Sequence, residues 1–201
     1  MHPFPGRRSI SRMTAAALAL LWRAHQARRE NRPAEARRDL LDAVAICRRE
    51  QAPADLAFAL ARLGQTERDL RMFDAARARY EEAAAIHRER RDALSLAHAI
   101  RQVGDIHQDA GQWELAEPYY AEALALYRSS RQTHRGDLAN AVRSMAIQKE
   151  QTGDVEHACR LWTEARDLYA SLDTPLRRIF LRRPNPGVIE SSEHLTRLAR
   201  R

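Results

Sequence analysis

The sequence predicts an all-α protein built from repeated helix-turn-helix pairs. Ala, Leu, Arg and Glu, which are strong helix formers, dominate its 201 residues. Its seven glycines and eight prolines are few for a β-protein, which needs many tight turns. One short pattern of small and large residues also recurs four times along the chain. Together these observations indicate a helical repeat protein.

Each copy of the pattern has an alanine, a large residue four positions later and a second alanine three positions after that. The copies are Ala36-Leu40-Ala43, Ala76-Tyr80-Ala83, Ala116-Tyr120-Ala123 and Ala158-Trp162-Ala165. A small residue lies twelve positions before each leading alanine: Ala24, Gly64, Gly104 and Ala146. Small residues beside large ones let antiparallel helices approach closely, so each copy predicts one helix pair.

Turns are predicted where this period breaks. Pro33 suits the first turn of a helix, and Gly111 and Gly153 suit the position just after a helix end. The break at Asp69–Met72 contains no glycine and gives the weakest turn signal of the series.

The pattern resembles the tetratricopeptide repeat (TPR), in which a small residue precedes A-x3-[YF]-x2-A by twelve positions. The resemblance covers residues 13–172. The leading alanines are forty or more residues apart, so the repeat is similar to the long variety found in kinesin light chains and many bacterial proteins. It implies an α-α superhelix, the TPR solenoid, of four repeats and a C-terminal capping helix. HEAT and armadillo repeats share the forty-residue period, although the offsets of Gly64 and Gly104 argue against them.

The chain divides into a tail, the repeats, a linker and a cap. We expect a disordered basic tail at 1–12, repeats at 13–51, 53–91, 93–131 and 135–172, an irregular basic linker at 173–187 and a capping helix at 188–201. The cap is expected because a solenoid must cover its last apolar face. Within the linker, residues 179–181 are apolar and flanked by arginines. They suit either a membrane or partner-binding patch or a short helix packed against the cap.

The net charge of +7 is concentrated at the two ends of the chain. Residues 1–29 carry six arginines and no acid, and residues 175–201 carry a net +5, so the body between them is mildly acidic. A nucleic-acid or acidic-surface binder acting through the Arg-rich termini is therefore kept as the alternative function. We expect binding to a protein rather than to nucleic acid, because the body of the chain lacks a clustered basic face.

No catalytic or metal-binding motif is present, so the sequence predicts neither an enzyme nor a bound cofactor or metal. It lacks a phosphate-binding loop, a nucleophile elbow and an H-E-x-x-H helix, and Cys47 and Cys159 match no zinc spacing. The apolar run at residues 15–22 is too short to span a bilayer. We therefore expect a cytoplasmic protein.

The resemblance implies a scaffold or adaptor that binds a partner peptide or helix in the concave groove of the solenoid. The first helices of the pairs line that groove. The residues expected to face it are Phe58, Arg62 and Gln65 in the second repeat; His98, Arg101, Gln102 and Asp105 in the third; and Asn140, Arg143 and Ser144 in the fourth. These side chains suit a mildly acidic partner, with Phe58 as an apolar anchor. The alternatives are that they are ordinary exposed residues, or that the chain oligomerises through the ends of the solenoid.

Overall fold

A computed structural model describes residues 13–172 and 185–200, and within these ranges every regular element is a helix. The helices are α1 (Ala15–Arg29), α2 (Pro33–Arg49), α3 (Pro53–Asp69), α4 (Phe73–Glu89), α5 (Ala93–Asp109), α6 (Trp113–Ser129), α7 (Arg135–Gln151), α8 (Val155–Ala170) and α9 (Pro186–Leu198). The predicted fold class, consecutive helical repeats of the TPR solenoid type, is confirmed. The predicted tail at 1–12, residues 173–184 of the linker and the apolar triplet at 179–181 lie outside the described residues.

The forty-residue period comes from helices of equal length joined by short turns. Each of the six helices from α2 to α7 has 17 residues. Three residues separate successive helices from α1 to α6, so a helix and its turn occupy twenty positions. The connection at Ser130–His134, between α6 and α7, is two residues longer, and it accounts for the longer spacing of the last copy.

One turn geometry joins most of the helices. The second residue after the helix end has a positive φ in six turns, at Asn31, Gln51, Arg71, Arg91, Gly111 and Gly153. The following N–H then donates to the carbonyl five residues earlier, as from Met72 to Glu67 at 2.8 Å. This is the Schellman arrangement that satisfies the last carbonyls of a helix. The turn at Asp69–Met72 has it too, although only two of the six positions are glycine.

The first compact unit ends at Ala99 and contains α1 to α4. The contact between the two helices of a pair, here called the seam, has the predicted small-against-large packing in α3 and α4. A Cβ added to Gly64 would lie 2.9 Å from the ring of Tyr80. Beside this seam, the fully buried carboxylate of Glu67 lies 3.0 Å from Nε of Arg37 and 3.4 Å from Nε of Arg79. Glu67 therefore joins α3 to both α2 and α4.

The second unit begins at Ile100 and contains the rest of α5 and helices α6 to α9. A Cβ on Gly104 would lie 2.7 Å from the ring of Tyr120, which repeats the seam of the first unit. Between α7 and α8, the equivalent residues Ala146 and Trp162 are both fully buried. The predicted contacts of Gly64 and Gly104 with the following helix are confirmed, and Ala146 is buried as expected.

Helix α9 packs against α8 at the end of the second unit. It begins at Pro186, two residues before the predicted start at 188, because Asn185 caps it by accepting a hydrogen bond from Gly187 N–H at 2.9 Å. Proline at the first helical position needs no hydrogen-bond partner. A Cβ on Gly187 would lie 2.5 Å from the ring of Tyr169, so glycine allows α9 to approach α8 closely.

Candidate functional site

On α3, the three predicted groove residues form one stripe along the helix. Phe58, Arg62 and Gln65 follow the helical spacing of four and three residues, which places them on the same face. The Arg62 guanidinium lies over the Phe58 ring, 4.9 Å from its centroid. Gln65 Nε2 donates to Asp69 at 2.9 Å, one turn further along. Phe58 is half-buried and Arg62 is exposed, so this stripe offers an aromatic surface and a cation to solvent.

The predicted residues of α5 differ sharply in exposure. His98, in the first unit, is exposed, whereas Gln102 and Asp105 of the second unit are each only 6% exposed. The Arg101 side chain is 12% exposed. Little of Arg101, Gln102 or Asp105 is therefore available to a partner in this structure.

Asp105 is the centre of a buried hydrogen-bond network within the second unit. Its Oδ2 atom lies 2.6 Å from Nη1 of Arg101. Its Oδ1 atom accepts from the Tyr120 hydroxyl at 3.0 Å and from the Ser144 hydroxyl at 2.9 Å. Three predicted site residues, Arg101, Asp105 and Ser144, are thus brought together, and the Asp105 carboxylate links α5, α6 and α7 through its bonds with Tyr120 and Ser144. A buried carboxylate with this many donors is well compensated for its loss of water.

The two remaining predicted residues, both on α7, also have partners inside the second unit. Nε and Nη2 of Arg143 contact both carboxylate oxygens of Glu190 on α9 at 2.7–2.9 Å. The hydrogen bonds with Glu190 raise the pKa of Arg143 above its ordinary value. The exposed Asn140 accepts a hydrogen bond from the Tyr169 hydroxyl at 2.7 Å. These contacts hold the cap helix and the last helix pair together.

A second buried carboxylate, that of Glu150 on α7, contacts the C-terminal half of the cap helix α9. It lies 2.7 Å from Nδ1 of His194, 2.6 Å from Nη2 of Arg197 and 3.1 Å from Nε1 of Trp162. Burial acts to raise the pKa of Glu150, but hydrogen bonds from these three partners outweigh it and the pKa is lowered. This cluster was not predicted, because nothing in the local sequence relates residue 150 to residues 194 and 197.

None of the predicted groove residues belongs to the first repeat. Leu18, Trp22 and His25 lie forty positions before Phe58, Arg62 and Gln65, so the repeat alignment already contained the signal. In the structure Leu18 is 44% and Trp22 64% exposed. They are two of the five large hydrophobic side chains recorded as exposed in the described parts of the chain. Leu18 and Trp22 of α1 therefore occupy the repeat positions equivalent to Phe58 and Arg62 of α3, and their apolar side chains are exposed.

Over residues 13–172 and 185–200, no three His, Cys, Asp or Glu side chains are grouped so that they could hold a metal ion. None of the helices in these ranges is both long and apolar enough to cross a membrane. The Cys47 thiol is buried, and burial raises its pKa.

A comparison with known protein families finds a match to one segment of the chain. Residues 96–130 match the model of the tetratricopeptide repeat. None of the curated proteins compared with the chain matches its sequence.

Solved structures of several TPR-like proteins share the fold. BtubC (BKLC) from P. vanneervenii superposes with a TM-score of 0.76 at 18% identity, over 94% of this chain and 80% of that one. A putative kinesin light chain of Podosopora anserina, with nearly identical TPR-like repeats, gives 0.71 at 16% identity over 91% and 85% of the two chains. MamA from Desulfovibrio magneticus RS-1 gives 0.59 at 16% identity over 94% and 96%. Residues 96–130 therefore match a tetratricopeptide repeat, and the chain has the fold of TPR-like repeat proteins, with small-against-large packing at Gly64 and Gly104.

Proposed function

We propose that this chain is a protein–protein interaction module that binds a peptide or helix of a partner on the first helices of its repeats. TPR folds generally mediate contacts between proteins. The observation that carries the proposal for this chain is the Arg62 guanidinium stacked over Phe58 at 4.9 Å. An arginine and an aromatic ring side by side on an accessible helix face are typical of residues that dominate binding energy.

The contacts of the predicted groove residues divide them into two groups. Arg101, Asp105 and Ser144 hydrogen-bond inside the second unit, and Arg143 is paired with Glu190 of the cap. Recruiting them to a partner would first break buried hydrogen bonds, which is costly. On α3, the hydrogen bond of Gln65 with Asp69 is exposed and Arg62 stacks on the Phe58 ring, so using Gln65 and Arg62 breaks neither of these as a buried hydrogen bond. The proposal therefore assigns partner binding to the first-unit stripe and a structural role to the second-unit network.

Selection from a displayed peptide library against the immobilised full chain tests this function. We expect enriched peptides to bind the wild type and to lose at least tenfold in affinity for the variant Phe58→Ala/Arg62→Ala. The control is Arg77→Ala on α4, because the Arg77 side chain is 40% exposed and pairs with the solvated Asp74 outside the proposed binding stripe. Failure to enrich any peptide, or equal binding to wild type and double variant, would contradict the proposal.

The alternative function, binding of nucleic acid or an acidic surface through the Arg-rich termini, rests mainly on residues outside the described ranges. No contact among the described residues favours it, and we do not propose it. Cytoplasmic location and oligomerisation stay predictions.

A further inference from the structure

We infer that the exposed face of α1 and α3 binds a short partner segment that combines bulky apolar side chains with acidic residues. This α1–α3 face consists of Leu18, Trp22, His25 and Arg29 on α1 and Phe58, Arg62, Gln65 and Asp69 on α3. The inference rests on the proposed function. It goes further by placing the main anchor in the first repeat, at Trp22, and by naming the chemistry of the partner.

The apolar part of this face lies towards the N-terminal ends of the two helices. Leu18 and Trp22 are one turn apart on α1, and Phe58 occupies the position equivalent to Leu18 on α3. An indole that is 64% exposed leaves a large apolar area in contact with water, and covering it is favourable by the hydrophobic effect. Tryptophan is also among the residues most often found at the centre of binding hot spots.

The stripes of the two helices meet at their C-terminal ends within the first unit. Nη2 of Arg28 on α1 lies 2.6 Å from Oδ2 of Asp69 on α3. A shallow hollow at this end is lined by His25, Arg28 and Arg29 of α1 and Asp69 of α3, together with Asn31 of the turn after α1 and Pro33 at the start of α2. The ion pair ties the C-terminal ends of the stripes together.

The charge of this face is positive, because it carries Arg29 and Arg62 against one acidic residue, Asp69. Helix α1 contains three arginines and no acidic residue, and two of these arginines pair with acids of other helices, Arg23 with Asp39 and Arg28 with Asp69. Asp69, the acidic member of the face, already accepts from Arg28 and Gln65. Over the parts of the chain that the structure describes, neither Arg29 nor Arg62 forms an ion pair. An acidic segment therefore complements the face, and Arg suits carboxylates because it donates in a planar fork.

The order of the residues also sets the spacing expected in the partner. Leu18 and Arg29 are eleven positions apart on a continuous helix, which corresponds to about 16 Å along its axis. An extended peptide covers that length in roughly five residues. A segment with an apolar side chain and an acidic cluster about five positions apart would contact both ends of the face at once.

Fluorescence anisotropy with labelled synthetic peptides and the full chain tests this inference. The probe is a 12-residue peptide with a Leu-Leu pair followed, about five positions later, by three aspartates. Its controls replace the leucines by serine or the aspartates by lysine. We expect the probe to bind at least tenfold tighter than either control, and raising the salt concentration to weaken it, because exposed charges are screened.

Two variants distinguish the anchor from the rest of the protein. Trp22→Ala should reduce probe affinity at least tenfold without changing the thermal unfolding midpoint, because the indole is largely exposed. Arg131→Ala, which removes an exposed arginine of the α6–α7 connection, should leave affinity unchanged. Bound probe should also shield Trp22 from acrylamide quenching, a readout that the exposed indole makes sensitive.

The outcomes separate this inference from the proposed function. If peptides from the library bind and depend on Phe58 and Arg62, but neither Trp22→Ala nor the charge of the peptide matters, the inference is wrong and the module function stands. If wild type and Trp22→Ala instead differ only in self-association by light scattering, the face is a contact between copies and the inference is again wrong. If no peptide of any kind binds, the proposed function fails too.

Discussion

The ring of Tyr120 lies directly against the backbone of Gly104, and its hydroxyl donates to Asp105, the next residue of the same helix, at 3.0 Å. The same hydroxyl lies 3.0 Å from Oε1 of Gln108, one turn further along α5. One side chain thus fills the space left by a missing Cβ and joins the buried network of the second unit. Packing and hydrogen bonding at this seam depend on each other.

Gly104→Ala should destabilise the protein. The added Cβ would lie 2.7 Å from a ring that its hydrogen bonds hold in place, so relief requires the helices to move apart. We expect overpacking to cost about 1–3 kcal/mol of unfolding free energy, partly offset by the better helix propensity of alanine, worth roughly 1 kcal/mol. Urea unfolding measures the difference. The variant Gly104→Ala/Tyr120→Leu should recover part of the loss, and no recovery would argue against a steric cause.

Asp105→Ala should cost about 3–5 kcal/mol of unfolding free energy, because it leaves the buried Arg101 without its carboxylate and removes an acceptor from Tyr120 and Ser144. The exposed Asp109, one turn along the same helix, is the matched control, and its replacement by alanine should cost less than about 1 kcal/mol. Denaturant titrations compare the two. Equal and small costs, with a loss of peptide affinity for Asp105→Ala, would show that Asp105 contacts the partner.

Gln51→Gly should stabilise the protein. Gln51 is exposed and has a φ of 51°, a left-handed conformation that costs a residue with a Cβ about 1–2 kcal/mol. Glycine also adds freedom to the unfolded chain, so we expect a net gain of roughly 0.5–1 kcal/mol. Arg77→Gly, in the middle of α4, should instead lose about 1 kcal/mol. Thermal unfolding of both variants checks the prediction, which a lower midpoint for Gln51→Gly would refute.

His87 should make the folded state sensitive to mild acid. Burial, with a smaller contribution from Arg90, lowers its pKa below the ordinary value of 6.5, although Asp92 acts in the opposite direction. The unfolded chain therefore takes up a proton more readily than the folded one. Unfolding free energy should decrease as the pH falls through 6.5 towards the lower folded pKa.

The variant His87→Phe isolates that contribution. It cannot take up the proton, so the difference in unfolding free energy between pH 7.5 and 5.5 should be smaller than in the wild type. The Glu150 pKa is also lowered, but its contribution to stability is lost at more acidic pH, below the ordinary glutamate range, and does not interfere. Equal pH dependence of wild type and variant would contradict the assignment.

The sequence by itself determined the helical repeat and the seams within it. Alanines, glycines and aromatics at fixed offsets decide which helix faces can approach closely, and such contacts lie within about twenty residues of each other, as between Gly64 and Tyr80. The same forty-residue offset also aligns Leu18 and Trp22 of the first repeat with the predicted groove residues Phe58 and Arg62.

Only the tertiary structure decided which polar residues of the first helices are available to a partner. Arg143 and Glu190 are 47 residues apart, and Ser144 and Asp105 are 39 apart, so no local pattern pairs them. Arg62 and Arg143 both belong to the predicted groove set, yet Arg62 lies over the half-buried Phe58 ring and Arg143 pairs with Glu190 of the cap helix. The physical reason is that hydrogen bonding between buried polar groups depends on where distant helices lie, whereas periodicity reports only which face of a helix a residue occupies.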